Sequence, residues 1–228
     1  YGNDEIWITE LNEDLTAPKK DGLHRLLVSD HKNPELGYEG SHIQKINGYY
    51  YIFLIHSLRD RWMRTEACFY SDSLEGEFTG GDVLCDDRGY CGQGVAQGGI
   101  VDTPDGKWYA MLFQDSGAVG RIPILLPVTW KDHFPVFGQN GHVPEEIEVH
   151  STRPGYIYQP LVGSDDFCNG LLPRWQFNHD PDPRYYHLDA LQGTYTITTR
   201  EVCTELTQAV NTLTQRMSYP SCAAEVTV

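Results

Sequence analysis

The residue with the clearest potential for chemistry is Glu39, in the segment Glu-Gly-Ser-His-Ile at residues 39–43. The segment leads to an Asn-Gly pair at residues 47–48, between two runs rich in apolar and aromatic residues. Asn-Gly in that position predicts a tight β-hairpin, because both central residues of the turn need positive φ. Glu39 is therefore expected on a fixed backbone beside crowded apolar side chains. A carboxyl group in such low-dielectric surroundings keeps its proton more readily and can act as a general acid.

A solvated surface glutamate is the alternative interpretation of Glu39, because most acidic residues in proteins face water. The segment at residues 39–43, followed by Lys-Ile-Asn-Gly-Tyr-Tyr-Tyr at residues 45–51, resembles the general-acid segment of glycoside hydrolase family 43. That family usually has proline where this chain has Ser41. The resemblance implies that Glu39 protonates the leaving sugar oxygen during an inverting hydrolysis of xylosides or arabinosides.

Inverting hydrolysis also needs a general base, with the two carboxyl groups about 6.5–9.5 Å apart. The resemblance implies a base on the first blade and a pKa-tuning aspartate on the second blade, both before Tyr1. Neither Asp4 nor Asp14 matches them. We therefore expect a fragment that lacks the first blade or blades and carries only one member of the catalytic triad.

Other residues are candidates for contact with a sugar. The resemblance implies this role for Arg121, whose guanidinium can donate a fork of hydrogen bonds to adjacent hydroxyls; the alternative is a surface salt bridge with a residue such as Asp115. His42 and His56 could touch the sugar or be satisfied core or rim histidines. Trp62 could form one wall of a pocket or be an ordinary exposed aromatic residue on a loop.

Gln97, in a glycine-rich run at residues 92–99, is a further candidate for contact with the sugar. The run is a weak match to a phosphate-binding loop, because no lysine or helix start follows it. Members of family 43 often have a histidine near this point, which orders a central calcium ion through water. Amide oxygens can coordinate calcium or accept hydrogen bonds from water. No cofactor is required by this interpretation, and calcium at the propeller centre is left open; tight packing near the axis is the plainer explanation of the glycines.

Strand patterns along the chain predict an all-β protein. A second hairpin, with Pro-Asp-Gly at residues 104–106 before an aromatic strand, echoes the first, and residues 64–70 are also strand-like. Repeated sheet units of this kind are typical of β-propellers. With the resemblance, we expect a partial five-bladed β-propeller as the catalytic domain, residues 1–150, incomplete at its N-terminus.

A different region follows a polar linker at residues 144–158. Leu-Pro-Arg-Trp-Gln-Phe at residues 172–177 resembles the opening of the β-sandwich often attached behind family 43 propellers. The threonine-rich stretch from residue 196 favours strand and turn over helix, because β-branched residues suit strands. We expect a C-terminal β-sandwich domain over residues 157–228, truncated in a strand at residues 224–228.

Composition restricts the partners. The formal net charge of −15 repels phosphate backbones and anionic lipid, so no nucleic acid and no membrane surface is expected as partner. No apolar run of about 18 residues occurs that could cross a membrane. The six cysteines show no Cys-x-x-Cys spacing, which weighs against zinc and redox motifs, while Cys85 and Cys91 could pair or stay as thiols. A secreted or periplasmic protein is the favoured interpretation, although no signal peptide establishes the compartment.

The sequence therefore predicts a glycoside hydrolase that removes xylose or arabinose from xylan- or arabinoxylan-type oligosaccharides. A β-xylosidase is the first choice, because sandwich-bearing members of the family are often of that kind. The alternatives are an α-L-arabinofuranosidase and a non-catalytic carbohydrate-binding fragment. The missing base favours the binding fragment for this chain taken alone.

Overall fold

The computed structural model describes residues 1–217 and 221–228, and it divides into two compact units, Tyr1–His150 and Ser151–Val228. Both units are built from β-strands. The helices among the described residues are two short 3-10 turns, Gly117–Val119 and Leu206–Gln208. The predicted all-β class is confirmed. Within the described ranges, no helix has the length and apolar character needed to cross a membrane.

The first unit contains a two-stranded sheet and two four-stranded antiparallel sheets. The small sheet pairs β1 (Glu5–Thr9) with β2 (His24–Ser29). One larger sheet, called the Glu39 blade, joins in order the strands β3 (Glu39–Ile46), β4 (Tyr49–Ser57), β5 (Arg64–Ser71) and β6 (Thr79–Leu84). The other, called the Arg121 blade, joins in order the strands β7 (Ala96–Asp102), β8 (Trp108–Asp115), β9 (Arg121–Lys131) and β10 (Phe134–Phe137). Four consecutive strands in up-and-down order form the blade of a β-propeller, so the predicted partial propeller is confirmed.

The central strands of both blades form the core. Residues 51–57 of β4 are all buried, because β4 lies between β3 and β5 and packs on both faces. The rings of Phe53 on β4 and Phe137 on β10 lie 6.0 Å apart, which places the core between the two blades. The Asn47-Gly48 turn that leads into β4 has φ of 49° and 90° at its two residues, as the hairpin prediction required.

Two polar contacts join the Glu39 blade to the Arg121 blade. The side-chain amide of Gln44 on β3 donates a 2.9 Å hydrogen bond to the carbonyl oxygen of Ile100 on β7. The hydroxyl of Tyr51 donates a 2.7 Å hydrogen bond to the carbonyl oxygen of His133. The first bond places β3 beside β7, and the second joins β4 to the turn between β9 and β10.

A buried histidine joins the two-stranded sheet to the Glu39 blade. His56 Nδ1 lies 3.1 Å from Asp30 Oδ2, and His56 Nε2 lies 2.8 Å from Asp82 Oδ1. Burial opposes the charged imidazole, but the hydrogen bonds and charges of Asp82 and Asp30 raise the pKa of His56 above its ordinary value. His56, one of the candidates for sugar contact, is enclosed between these two carboxylates and serves the packing of the unit.

The second unit has four short strands in two pairs. β11 (Gln176–Phe177) pairs with β14 (Leu213–Thr214), and β12 (Tyr186–Asp189) pairs with β13 (Thr194–Ile197). The strand predicted at residues 224–228 is wrong for this structure, because those residues form no ladder with the rest of the described chain. All six cysteines are free thiols, so Cys85 and Cys91 are not paired.

Candidate active site

Glu39 is the first residue of β3 and lies half-buried at one end of the Glu39 blade. In the register of the blade Glu39 is opposite Ile55 on β4, and Ile55 is opposite Glu66 on β5. Directly opposed residues of an antiparallel sheet point to the same face. Glu39 and Glu66 therefore share one face of the blade, with their backbones two strand spacings, or about 10 Å, apart.

A β-bulge follows Glu39, and a glutamine side chain packs against it. The register shifts between Glu39 and His42, and Gly40 has φ of 61°, where glycine is favoured. A Cβ atom at Gly40 would overlap with Gln97 Nε2 and would lie 2.7 Å from Gln97 Cδ. Only glycine fits at this point, so the Gln97 side chain borders the backbone that carries Glu39.

The backbone of Gln97 is held by Glu66, a residue that sequence reasoning missed. Glu66 is 0% exposed, and its Oε2 accepts a 2.6 Å hydrogen bond from the Gln97 backbone N–H. Burial raises the pKa of Glu66 well above its usual range and outweighs the opposing hydrogen bond from Gln97 and charge of Arg64. Burial therefore favours the protonated form of Glu66. Its only signal in the sequence was an acidic residue directly before the run Ala-Cys-Phe-Tyr at residues 67–70 of β5.

Arg64, also missed, is the buried cation of the site. Its side chain is 5% exposed and forms a salt bridge with Asp115 at the end of β8. Arg121, at the start of β9, lies with Nε 3.3 Å from the same carboxylate, and its side chain is 64% exposed. The two guanidinium carbons lie 4.9 Å and 4.5 Å from the centroid of the Phe113 ring. The salt bridge considered as the alternative for Arg121 is thus present, but most of its five N–H donors stay free for a ligand.

Charged groups from both blades act on Arg64. Burial lowers the pKa of its guanidinium and the charge of Arg121 adds to this effect, whereas Asp115, Glu39 and Glu66 raise it. Arg64 nonetheless stays charged, because a guanidinium is not deprotonated in proteins. The structure therefore brings Glu39 and Arg121 within electrostatic range of one buried cation.

His42 and Trp62 lie on two sides of this group. His42 is on β3, three residues after Glu39, with an exposed side chain next to Gly99 of β7. Trp62 lies in the loop between β4 and β5, with its carbonyl oxygen packed on Gly92 and its ring partly exposed. Contact of either side chain with a sugar stays a prediction.

The residues around Gln97 do not form a calcium cage. Calcium takes about 6–8 oxygen ligands, with carboxylates prominent among them. Across the described parts of the chain, no three His, Cys, Asp or Glu side chains lie close enough together to hold a metal ion. The amide of Gln97 packs against Gly40 instead. Calcium at the propeller centre stays a prediction, and no step below runs through a metal.

Known proteins with similar sequence and structure agree with this fold. Residues 1–135 match the model of glycosyl hydrolases family 43, and residues 164–228 match that of the beta xylosidase C-terminal concanavalin A-like domain. A putative beta-xylosidase from Xylanibacter ruminicola is 28% identical over 166 residues, which cover 70% of this chain and 31% of that protein. A non-reducing end alpha-L-arabinofuranosidase from Bacteroides ovatus is 26% identical over 175 residues, which cover 68% of this chain and 31% of that protein.

Among solved structures, a bifunctional GH43-CE protein from Bacteroides eggerthii is similar to this chain with a TM-score of 0.79 and 41% identity. The similarity covers 96% of this chain and 28% of that one. The chain spans about 30% of the length of the curated relatives it matches. The family match covers the Glu39 blade and the Arg121 blade as far as residue 135, and the predicted C-terminal sandwich is confirmed by the second domain match. The chain belongs to family 43 of the glycosyl hydrolases.

Proposed function

We propose that the full-length protein is an inverting, exo-acting glycosidase that removes xylose or arabinose from xylo- or arabino-oligosaccharides, with β-xylosidase as its main activity. Glu39 is the general acid and Arg121 binds the sugar. The observation that carries the proposal is the position of Glu39, half-buried at the start of an inner propeller strand and in range of Arg64. Relatives named as a beta-xylosidase and an arabinofuranosidase support both sugars.

In this mechanism Glu39 donates its proton to the glycosidic oxygen as the bond to the anomeric carbon breaks. The transfer leaves a carboxylate, and its attraction to the buried Arg64 cation is stronger than it would be between the same two charges in bulk water. The exposed guanidinium of Arg121 can meanwhile donate hydrogen bonds to two sugar hydroxyls. Proton donation and sugar binding thus come from residues of the two adjacent blades.

The general base is assigned to no residue of this chain. A general base must be ionised and must reach the attacking water, whereas Glu66 is 0% exposed and burial raises its pKa, so both features oppose this role for Glu66. Asp4 packs its side chain on Gly37, and Asp14 lies exposed on the loop between β1 and β2. The proposal therefore requires a carboxylate from another part of the full-length protein.

The test replaces Glu39 by Gln in the full-length protein. General acid catalysis contributes about 10²–10⁴-fold, so kcat for a xyloside with a poor, alkyl leaving group should fall by a factor in that range. Hydrolysis of 2,4-dinitrophenyl β-D-xyloside should fall far less, because that leaving group departs without a proton. Glu35→Gln, at an exposed glutamate just before β3, is the matched control and should keep the parent rates. Unchanged hydrolysis of the alkyl xyloside by Glu39→Gln would exclude Glu39 as the acid.

A carbohydrate-binding protein without turnover is the second candidate, favoured by the missing base in this chain. Parent protein is assayed with 4-nitrophenyl β-D-xylopyranoside and 4-nitrophenyl α-L-arabinofuranoside, and xylo-oligosaccharide binding is measured by calorimetry. A higher kcat/KM for the xyloside supports a β-xylosidase, and the reverse order supports an arabinofuranosidase. Binding without hydrolysis of either substrate supports the second candidate.

A further inference from the structure

The carboxyl group of Glu66 has no part in the proton transfer described above, although it lies on the same face of the blade as Glu39. We infer that Glu66 is a positioning residue for the general acid: it holds the backbone of Gln97, whose side chain holds Gly40 and, through it, Glu39. The inference rests on the proposed role of Glu39. It assigns a function to a residue that touches neither the sugar nor the reacting atoms.

The first contact runs from Glu66 to Gln97. Gln97 has φ of 65°, in the left-handed region that a residue with a side chain rarely adopts. It lies where the register of β7 shifts against β8, so no regular ladder holds it in place. Such strained backbone persists only when its surroundings impose it. The 2.6 Å hydrogen bond from the Gln97 N–H to Glu66 Oε2 supplies this constraint from inside the Glu39 blade.

The second contact runs from Gln97 to Gly40. A Cβ atom at Gly40 would lie 2.7 Å from Gln97 Cδ and 2.8 Å from Gln97 Cγ, so the side chain lies directly against the glycine backbone. Gly40 also has a left-handed backbone conformation, with φ of 61°, and it forms the bulge that follows Glu39. A displacement of Gln97 would therefore shift the peptide that joins Glu39 to Gly40.

Core packing alone does not explain a carboxyl at this position. Glu66 Oε1 has no hydrogen-bond partner within the described parts of the chain, and an unpaired buried polar atom lowers stability. The next two residues on β5, Ala67 and Cys68, are completely buried and fill the core with small or apolar groups. A leucine at residue 66 would fill similar space without the unpaired oxygen. Leucine, however, has no oxygen atom to accept the hydrogen bond that the Gln97 N–H donates to Glu66.

The experiment compares Glu66→Gln with Glu66→Leu in the full-length protein. The glutamine variant keeps an acceptor oxygen for the Gln97 N–H and should keep the parent kcat. The leucine variant removes the acceptor, and a misplaced catalytic group can cost about 100-fold in rate. We expect a loss of this size in kcat for the alkyl xyloside, with KM unchanged and with little loss for 2,4-dinitrophenyl β-D-xyloside. A selective loss of this kind indicates an impaired general acid, because a general loosening of the fold would slow the hydrolysis of both substrates.

The double variant Glu39→Gln/Glu66→Leu tests the connection directly. If Glu66 acts through Glu39, the double variant is no slower than Glu39→Gln, because residues that act as a unit are not additive. Gln97→Gly relieves the strained backbone but removes the side chain next to Gly40. This variant should show the same dependence on the leaving group as Glu66→Leu, and it replaces Glu66→Leu in the test if that variant does not fold. Equal losses for both substrates, losses that add in the double variant, or a glutamine variant as slow as leucine would overturn the inference.

The outcomes separate this inference from the proposed function. Glu39→Gln alone decides whether Glu39 is the acid. Suppose that Glu39→Gln slows hydrolysis of the alkyl xyloside selectively, whereas neither Glu66→Leu nor Gln97→Gly does so. This result would overturn the role of Glu66 and leave that of Glu39 in place.

Discussion

Arg64 on β5 and Asp115 at the end of β8 form a salt bridge between the two blades. The Arg64 side chain is 5% exposed and that of Asp115 is 37% exposed, so the pair lies at the edge of the core. Asp115 also pairs with Arg121 at 3.3 Å. One carboxylate therefore connects the buried cation near Glu39 to the exposed cation that we propose as a sugar ligand.

Replacement of Asp115 by Asn should destabilise the protein. The buried guanidinium of Arg64 would lose its ionic partner. A fully buried pair costs about 3–5 kcal/mol to break, but Asp115 is 37% exposed, so the cost of about 1–3 kcal/mol for an unsatisfied buried polar group applies. We expect the free energy of unfolding to fall by this amount, measured by urea denaturation followed by tryptophan fluorescence. KM should rise as well, because Arg121 would lose the contact that orients it.

Asp105→Asn is the matched control for this change. Asp105 pairs with Lys107 at 3.2 Å on the exposed turn between β7 and β8. Exposed ion pairs contribute little to stability, so this variant should unfold at the parent urea concentration. Equal stability of the two variants would show that the Arg64 salt bridge contributes no more than a surface pair.

Arg121→Lys tests the sugar contact without removing the positive charge. Lysine carries a point charge without the planar fork that donates two parallel hydrogen bonds to adjacent hydroxyls. With about 1.5–3 kcal/mol lost for the one hydrogen bond that lysine does not replace, kcat/KM for the xyloside should fall by about 10- to 150-fold. Steady-state kinetics on the same substrates measure this loss. A variant with the parent kcat/KM would leave only the salt bridge with Asp115 as the role of Arg121.

Gly40→Ala should impair both stability and catalysis. An alanine here would be strained by its φ of 61° and its Cβ would overlap with Gln97 Nε2. Gly48→Ala is the control, because Gly48 has φ of 90° but no atom within 4 Å of an added Cβ. Both variants should lose about 1 kcal/mol of unfolding free energy from backbone strain. Only Gly40→Ala should also lose kcat for the alkyl xyloside, and an equal kcat in the two variants would contradict a role for the contact with Gln97.

The parts of the fold that were predicted correctly depend on short segments of the chain. The Asn47-Gly48 turn and the Pro-Asp-Gly turn at residues 104–106 act through the backbone preferences of their own residues. Local information of this kind was sufficient for the hairpins and, with the family resemblance, for the blades.

The arrangement of the site could not be predicted in the same way. Glu66 and Gln97 are 31 residues apart in the chain, and Arg64 and Asp115 are 51 residues apart. These pairs meet only because two blades pack with a particular register, which no local pattern encodes. The raised pKa of Glu66 likewise follows from its complete burial in the folded unit.

The histidine between Asp30 and Asp82 should make stability depend on pH. Burial disfavours the charged form of His56, but Asp82 and Asp30 together raise its folded pKa above the ordinary 6.5. The stabilisation is therefore fully present below the unfolded value of about 6.5 and is lost as pH rises through the raised pKa. The free energy of unfolding of the parent should fall over this range for this reason.

His56→Gln should remove this contribution. The variant is expected to be less stable than the parent at pH 6, with the difference narrowing as the pH rises through the raised pKa, in urea titrations at fixed ionic strength. His31→Gln, at an exposed histidine on the loop after β2, should keep the parent slope. Because Asp30 also accepts hydrogen bonds from Arg59 and Asn33, it remains paired in the variant, so the comparison isolates the imidazole. A parent and a His56→Gln variant with parallel pH profiles would show that His56 does not bind its extra proton in the folded state.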